Sequence, residues 1–211
     1  MVQCPSCARV QGPRIVCVEC QAPLASNLDY FAALELPRKL TVDPNQLEQA
    51  YHRLGRMVHP DRFASKPVKV RDASQRVAAL LTKAYRTLRD PAARGTYWLE
   101  LHGAKLGANS RQVPADLVEL VFATQEELAA LKGSPGDDAL IARVSEKRNE
   151  VRQKLDLLGA ELARNFAAFD ADEGATTAAL FEELKTDLAR TAYLRTLLKD
   201  LDKTLDSKTG F

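Results

Sequence analysis

The chain has little net charge and no long hydrophobic run. Its 30 Lys and Arg residues nearly balance 28 Asp and Glu residues, which leaves a formal net charge of +2 over 211 residues. This balance argues against a protein that acts by binding nucleic acid or an anionic membrane surface. No apolar run reaches about 18 residues, so the sequence predicts no transmembrane helix. We therefore expect neither a nucleic-acid partner nor a membrane partner.

Aromatic residues are also scarce, and so are the residues that break helices. Aromatics make up 6% of the chain, and Gly and Pro number ten each, a composition that favours helix. The first four residues, "MVQC", carry neither the basic and apolar regions of a signal peptide nor an Arg-rich presequence. We therefore expect a cytoplasmic protein.

Cysteine is absent after residue 20, and all four cysteines lie in "CPSCARVQGPRIVCVEC". Two C-x-x-C pairs, separated by nine residues, can direct four thiolates at one tetrahedral ion. The spacing predicts a structural zinc held by Cys4, Cys7, Cys17 and Cys20. Two disulfides, or an iron or iron–sulfur centre, are the alternatives. Zinc would fold a segment too short to bury its own core, and we expect that segment to behave as a separate small unit.

Apolar spacing predicts helices over most of the remaining chain. Loop signals at 103–114 separate four shorter helices from three long ones, and the short connections between the long ones predict an antiparallel bundle. The expected fold is all-α, with a four-cysteine knuckle at 1–26, a helical domain at 27–104 and a three-helix bundle at 113–211. The expected helices cover about 28–36, 44–58, 70–89, 91–103, 115–132, 138–170 and 175–206.

The tripeptide His59-Pro60-Asp61 interrupts the helical pattern in "MVHPDRFAS". Proline ends the second helix and restricts the residue before it to an extended backbone, so the triad is expected in an exposed turn between two helices. Arg53 and Arg56 lie on the polar face of the preceding helix. Because no nucleophile motif or Gly-rich phosphate loop accompanies the triad, we expect that the protein is not an enzyme.

The triad, the basic helix before it and "LTKAYRTLRDP" after it resemble the J domain. That resemblance implies docking on a heat-shock ATPase chaperone of the DnaK class and stimulation of its ATP hydrolysis. It implies that Asp61 pairs with a partner arginine while Arg53 and Arg56 face an acidic patch. The alternatives are a solvated helix face for the two arginines and a helix C-cap for His59.

The stretches "DYFAALELP", "HPDRFAS" and "LRDPAARGTYWLELHG", followed by a helical bundle, resemble the HscB family. These are J-type co-chaperones of iron–sulfur cluster biogenesis, and the cysteine segment is similar to the zinc knuckle of their eukaryotic members. The resemblance implies an HscA-type ATPase chaperone as partner and an IscU-type cluster scaffold protein as client. The missing presequence favours a bacterial member over a processed mitochondrial form.

The resemblance also implies a scaffold-binding site on the bundle, formed by Leu117, Val118, Val121, Phe122, Gln125, Ala129 and Tyr193. Independently, four of these residues form a ridge about 100° from the core stripe of the helix expected at 115–132, which is the fifth helix of the chain, α5. We call this ridge the α5 ridge (Val118, Phe122, Gln125 and Ala129). The ridge is too apolar for a solvated face, which indicates either wider core burial or a partner site. Phe122, Gln125 and Ala129 stand where the family has acidic residues.

Two other functions compete with this interpretation. A general J-domain co-chaperone would serve other clients, and it usually carries a Gly/Phe-rich linker and β-rich client domains, neither of which the sequence shows. A zinc-knuckle nucleic-acid-binding protein would need a basic stripe and stacking aromatics beside the cysteines, where only Arg9 and Arg14 are found.

Overall fold

The computed structural model describes residues 1–104, 113–134, 136–171 and 178–206. These residues confirm the all-α prediction, and they divide into two compact units, Met1–Arg94 and Gly95–Phe211. Among the described residues, we find no helix that combines the length and the apolar character needed to cross a bilayer. The described part of the chain contains two strands, β1 (Val2–Gln3) and β2 (Val10–Gln11), two short 3-10 turns (Pro60–Phe63 and Ala115–Leu117) and helices α1 (Tyr30–Ala33), α2 (Pro44–Val58), α3 (Val68–Arg89), α4 (Pro91–Leu101), α5 (Val118–Gly133), α6 (Asp138–Ala171) and α7 (Ala178–Asp206).

The cysteine segment, residues 1–26, contains two loops of the same construction. In the first, the N–H of Cys4 donates to the carbonyl of Arg9 at 2.8 Å, and in the second the N–H of Cys17 donates to the carbonyl of Ala22 at 2.9 Å. The residue after each second cysteine, Ala8 or Gln21, has a left-handed backbone with φ near 60°. This repeated turn directs the two cysteines of each pair to the same side of their loop.

The cysteine segment is not a separate unit. Cys4, Cys17, Ala22 and Leu24 share one buried cluster with Val70 of α3, and Phe63 packs against it partly buried. We call the five buried residues the knuckle core. Contrary to the expected independence of the segment, four of its side chains share their buried cluster with a residue of the helical domain. A sequence pattern within 26 residues cannot show that contact.

Helices α2 and α3 bracket the His-Pro-Asp triad. Asp43 caps α2 by accepting the N–H of Asn45 at 2.8 Å, and the apolar face of the helix buries Leu47, Ala50, Leu54 and Val58. Helix α3 buries residues along its length, from Val70 to Leu88. The fully buried hydroxyl of Ser74 on α3 donates to the carbonyl of Val58 at 2.7 Å. This bond satisfies a terminal carbonyl of α2 directly before His59.

The second unit contains the three long helices, which pack on one another as predicted. Each helix contributes to one buried cluster, whose side chains include Leu128, Leu131, Val144, Val151, Leu158, Leu194 and Leu201. The bounds of α5, α6 and α7 lie within a few residues of those predicted from apolar spacing. Aliphatic side chains at helical spacing therefore account for this part of the fold.

Candidate functional site

The four cysteine sulfurs converge at one point of the cysteine segment. All four Sγ atoms lie within 4.8 Å of one another, with Cys4–Cys20 at 3.5 Å and Cys7–Cys17 at 3.7 Å. A tetrahedral zinc with Zn–S bonds of about 2.3 Å would place its sulfurs roughly 3.8 Å apart. A disulfide needs about 2.05 Å, and the four cysteines are free thiols. The donor set therefore fits a single metal ion.

The surroundings of Cys17 favour the thiolate form that binds metal. The side-chain amide of Gln11 donates to Sγ of Cys17 at 3.1 Å, and its oxygen accepts the N–H of Val18 at 3.2 Å. Hydrogen bonding by the backbone of Cys20, with further bonds from Glu19 and Gln11, lowers the pKa of Cys17 to about 6 against the opposing effect of desolvation. N–H donors of this kind stabilise the negative sulfur.

The His-Pro-Asp triad forms a compact, exposed turn. His59 ends α2 and begins the 3-10 turn Pro60–Phe63, and its Nδ1 accepts the N–H of Asp61 at 3.3 Å. The same nitrogen lies 3.5 Å from the Asp61 carboxylate, whose side chain is 89% exposed. His59 is the C-cap residue of α2, as the C-cap alternative supposes. Its imidazole ring also holds the turn, while the Asp61 carboxylate extends into solvent. We call residues 59–63 the HPD turn.

The predicted basic residues lie on the surface of α2, and both of them, Arg53 and Arg56, line one groove. Arg56, His59, Pro60 and Arg62 line a concave surface between α2 and α3. The guanidinium of Arg62 donates to the carbonyl of Arg56 at 2.9 Å, which ties the turn to the last turn of α2. The groove that Arg53 and Arg56 share is also lined by residues that follow α1.

The α5 ridge is exposed, which excludes the core-filling alternative for its aromatic residue. Phe122 is 67% exposed and Val118 is 51% exposed, and Gln125 and Ala129 are exposed as well. Phe122 therefore offers an aromatic surface to solvent.

Three of the predicted scaffold contacts lie elsewhere. Leu117 and Val121 are buried in the bundle core, at 1% and 7% exposure, so their assignment as surface contacts is wrong. Val121 shares α5 with the ridge but lies about 100° from it, and Leu117 directly precedes α5; both pack in the cluster with side chains of α6 and α7. Tyr193 is half-buried against the same core and keeps part of its side chain at the surface.

The model of the DnaJ domain matches residues 29–97 of this chain. A co-chaperone protein HscB homolog of Paraburkholderia phytofirmans is 37% identical over 140 residues, covering 64% of this chain and 78% of the relative. The chain belongs to the HscB co-chaperone family. The human iron-sulfur cluster co-chaperone protein HscB is 28% identical over 202 residues, covering 90% of this chain and 77% of the human protein. The crystal structure of human HscB matches with a TM-score of 0.74 and 26% identity, covering 95% of this chain and 97% of that structure.

The predicted turn and the predicted cysteine site are each assembled from residues close together in this HscB-family chain. The sequence patterns did not predict several residues that support them. Gln11 at the metal site, Ser74 beneath the HPD turn and Phe63 against the knuckle core all act through tertiary contacts. A serine on the buried stripe of α3 was an available signal, since a buried hydroxyl requires a partner. The HscB relatives are named as co-chaperones and not as enzymes, which agrees with the prediction drawn from the triad.

Proposed function

We propose that this HscB-family protein docks through its HPD turn on a heat-shock ATPase chaperone of the HscA/DnaK class and stimulates its ATP hydrolysis. It delivers an iron–sulfur scaffold protein of the IscU type to that chaperone for cluster transfer. The name of the human relative, an iron-sulfur cluster co-chaperone, supports this choice of pathway. The DnaJ-domain match over residues 29–97 supports the choice of ATPase partner.

The observation that carries the proposal is the exposed Asp61 carboxylate on a turn whose backbone is held from both sides. His59 bonds the N–H of Asp61, and Arg62 bonds the end of α2. A carboxylate held in this way loses little conformational entropy when it pairs with a partner arginine. Arg56 beside it and Arg53 one turn earlier supply positive charge for an acidic partner surface.

The client would bind the exposed part of the α5 ridge. Val118 and Phe122 expose more than half of their surface beside polar neighbours, which is the composition of an interface centre with its rim. Gln125 and Ala129 extend the same face, and Tyr193 contributes from α7. Leu117 and Val121 support the ridge from the core and are not part of the proposed contact.

The metal held by Cys4, Cys7, Cys17 and Cys20 is proposed to be zinc. Four thiolates complete the coordination of zinc and leave no position for substrate, so the ion supplies folding energy and no reaction chemistry.

The test of the chaperone partner is an ATPase assay with a purified DnaK-class chaperone. We expect stimulation by the wild type and its loss in Asp61→Asn and His59→Gln, with little change in melting temperature because both side chains are exposed. Asp72→Asn on α3 is the matched control, since Asp72 is also an exposed carboxylate. Equal loss in Asp72→Asn, or full stimulation by Asp61→Asn, would contradict the proposal. A pull-down with purified scaffold protein tests the client, and stimulation without scaffold binding would indicate a general co-chaperone.

A further inference from the structure

The knuckle core connects the four-cysteine site to the HPD turn. Two metal-site residues, Cys4 and Cys17, are buried in this core beside Val70. Phe63, the last residue of the HPD turn, packs partly buried against the same cluster. Only one residue separates Phe63 from Asp61. The docking carboxylate and the metal-binding sulfurs are thus linked by one short path of packed side chains.

The HPD turn has limited support of its own. All four residues of the turn Pro60–Phe63 keep some contact with solvent. Its backbone bonds are short-range, such as the N–H of Arg62 to the carbonyl of His59 at 3.0 Å and the N–H of Lys66 to the carbonyl of Phe63 at 2.9 Å. Segments with few buried contacts and local bonds open at low free-energy cost. Packing of Phe63 on the knuckle core therefore matters for the conformation of the turn.

The knuckle core in turn depends on the metal site. A segment of about 26 residues does not hold a core by its own apolar burial, and metal coordination supplies the missing free energy. Loss of the ion would release Cys4 and Cys17 from their fixed positions. The surface that Phe63 packs against would then be lost, while the bond of Ser74 to Val58 would still hold the end of α2.

We propose that Phe63 and the metal-loaded cysteine segment position the HPD turn for chaperone docking. This inference rests on the proposed function. Phe63 is a positioning residue, because it acts through the conformation of Asp61 and not by contacting the partner. Metal loss then lowers the population of the docking-competent turn without removing it. If the turn adopts the docking conformation for about a fifth of the time, the apparent Kd for the chaperone rises about fivefold. The maximal ATPase stimulation at saturation is unchanged.

The first measurement does not involve the chaperone. Amide hydrogen exchange is followed in the full chain, before and after removal of metal by a chelator, with Arg62 and Lys66 as reporters of the turn. We expect faster exchange at residues 59–66 in the metal-free wild type and in Phe63→Ala, and a smaller effect in Phe63→Leu. Unchanged exchange at these residues in both the metal-free wild type and Phe63→Ala would overturn the inference, whatever the partner of the protein proves to be.

The second measurement separates positioning from general stability. A DnaK-class ATPase is titrated with metal-loaded wild type, metal-free wild type, Phe63→Ala, Phe63→Leu and Leu88→Val. Leu88 is fully buried in α3 about 27 Å from Val70, so its truncation weakens the helical domain without touching the knuckle core. We expect the half-maximal concentration to rise several-fold in the metal-free protein and in Phe63→Ala. In Phe63→Leu the half-maximal concentration should return most of the way to the wild-type value, and in Leu88→Val it should equal the wild-type value.

The outcomes distinguish the inference from the proposed function. If the metal-loaded wild type gives no stimulation, the proposed function fails and hydrogen exchange alone decides the inference. If Leu88→Val shifts the titration as much as Phe63→Ala, stability accounts for the effect and the inference fails. If Phe63→Ala loses helix by circular dichroism, the metal-free wild type makes the same comparison, and an unshifted titration in the metal-free protein overturns the inference.

Discussion

The guanidinium of Arg53 lies 2.6 Å from the carboxylate of Glu35. Glu35 follows α1 with a left-handed backbone, φ 56°, which directs the chain towards α2. Both side chains are about half exposed, so the pair adds little to stability. Its consequence is electrostatic, because an arginine expected to face an acidic partner already has a carboxylate beside it.

Removing this carboxylate should strengthen docking. We expect Glu35→Gln to raise the association rate with a DnaK-class chaperone and to lower the half-maximal concentration for ATPase stimulation modestly, since Arg53 then offers its full charge to the partner. Glu48→Gln on α2 is the control, because it removes the same charge from a residue that pairs with His52 instead. Stopped-flow binding at low salt measures the rates. Equal gains in both variants would assign the effect to net charge and not to Arg53.

Metal analysis should find one zinc ion per chain. Its removal by chelation should unfold the cysteine segment and leave the helices intact by circular dichroism, because α2 and α3 bury apolar faces of their own and the bundle has its own core. The substitution Cys17→Ser, which removes one of the four thiolates, should lower the zinc content of the purified protein. Iron with charge-transfer absorption in the purified protein, or two disulfides by mass analysis, would exclude the structural-zinc assignment.

Truncation of Phe122 should weaken scaffold binding. Exposed aromatic residues at an interface centre cost about 2 kcal/mol or more when truncated, roughly thirtyfold in Kd. Because Phe122 is 67% exposed, Phe122→Ala should leave the free energy of unfolding nearly unchanged. Leu157→Ala is a matched control on α6, where the leucine is also 67% exposed. Calorimetric titration with the scaffold protein measures the Kd of both variants. An equal loss of affinity in the two variants would place the binding site outside the α5 ridge.

Scaffold binding should depend weakly on salt. Gln125 and Ala129 replace the carboxylates of the family pattern, so the ridge has fewer ion pairs for salt to screen. The expected result is a small change in Kd when calorimetric titration is repeated at a higher ionic strength. Introducing the charge with Gln125→Glu should increase the salt dependence. A steep salt dependence in the wild type would show that charged residues outside the ridge dominate the contact.

Asp187 should produce a measurable dependence of bundle stability on pH. Burial raises the pKa of this α7 carboxyl, although Asn165 donates to it at 2.7 Å and Arg190 at 3.4 Å. Since the folded state then binds the proton more tightly than the unfolded state, stability falls as pH rises from the ordinary value of 3.8 through the raised pKa. Denaturation measured across this pH range should show that the free energy of unfolding falls less in Asp187→Asn than in the wild type. Asp200→Asn, at an exposed position of the same helix, should behave as wild type.

The local features of this protein follow from short sequence patterns. Two C-x-x-C pairs, a proline after a capped amphipathic helix, and aliphatic residues at helical spacing each act within a few turns of chain. The cysteine site, the HPD turn and the three long helices could therefore be predicted from residues close together in sequence. The exposed positions of Arg53, Arg56 and Phe122 follow from the same periodicity, because a helix turns each residue by about 100°.

Tertiary structure decided what those features contact. The burial of Leu117 and Val121 depends on α6 and α7, which approach α5 from distant parts of the chain. The packing of Phe63 and Val70 on two cysteines joins segments more than 40 residues apart, and the bond from Arg53 to Glu35 joins residues 18 positions apart. Such contacts form only when separate elements meet in three dimensions, and no periodicity within one element encodes them. The connection of the metal site to the HPD turn is a property of the packed structure for this reason.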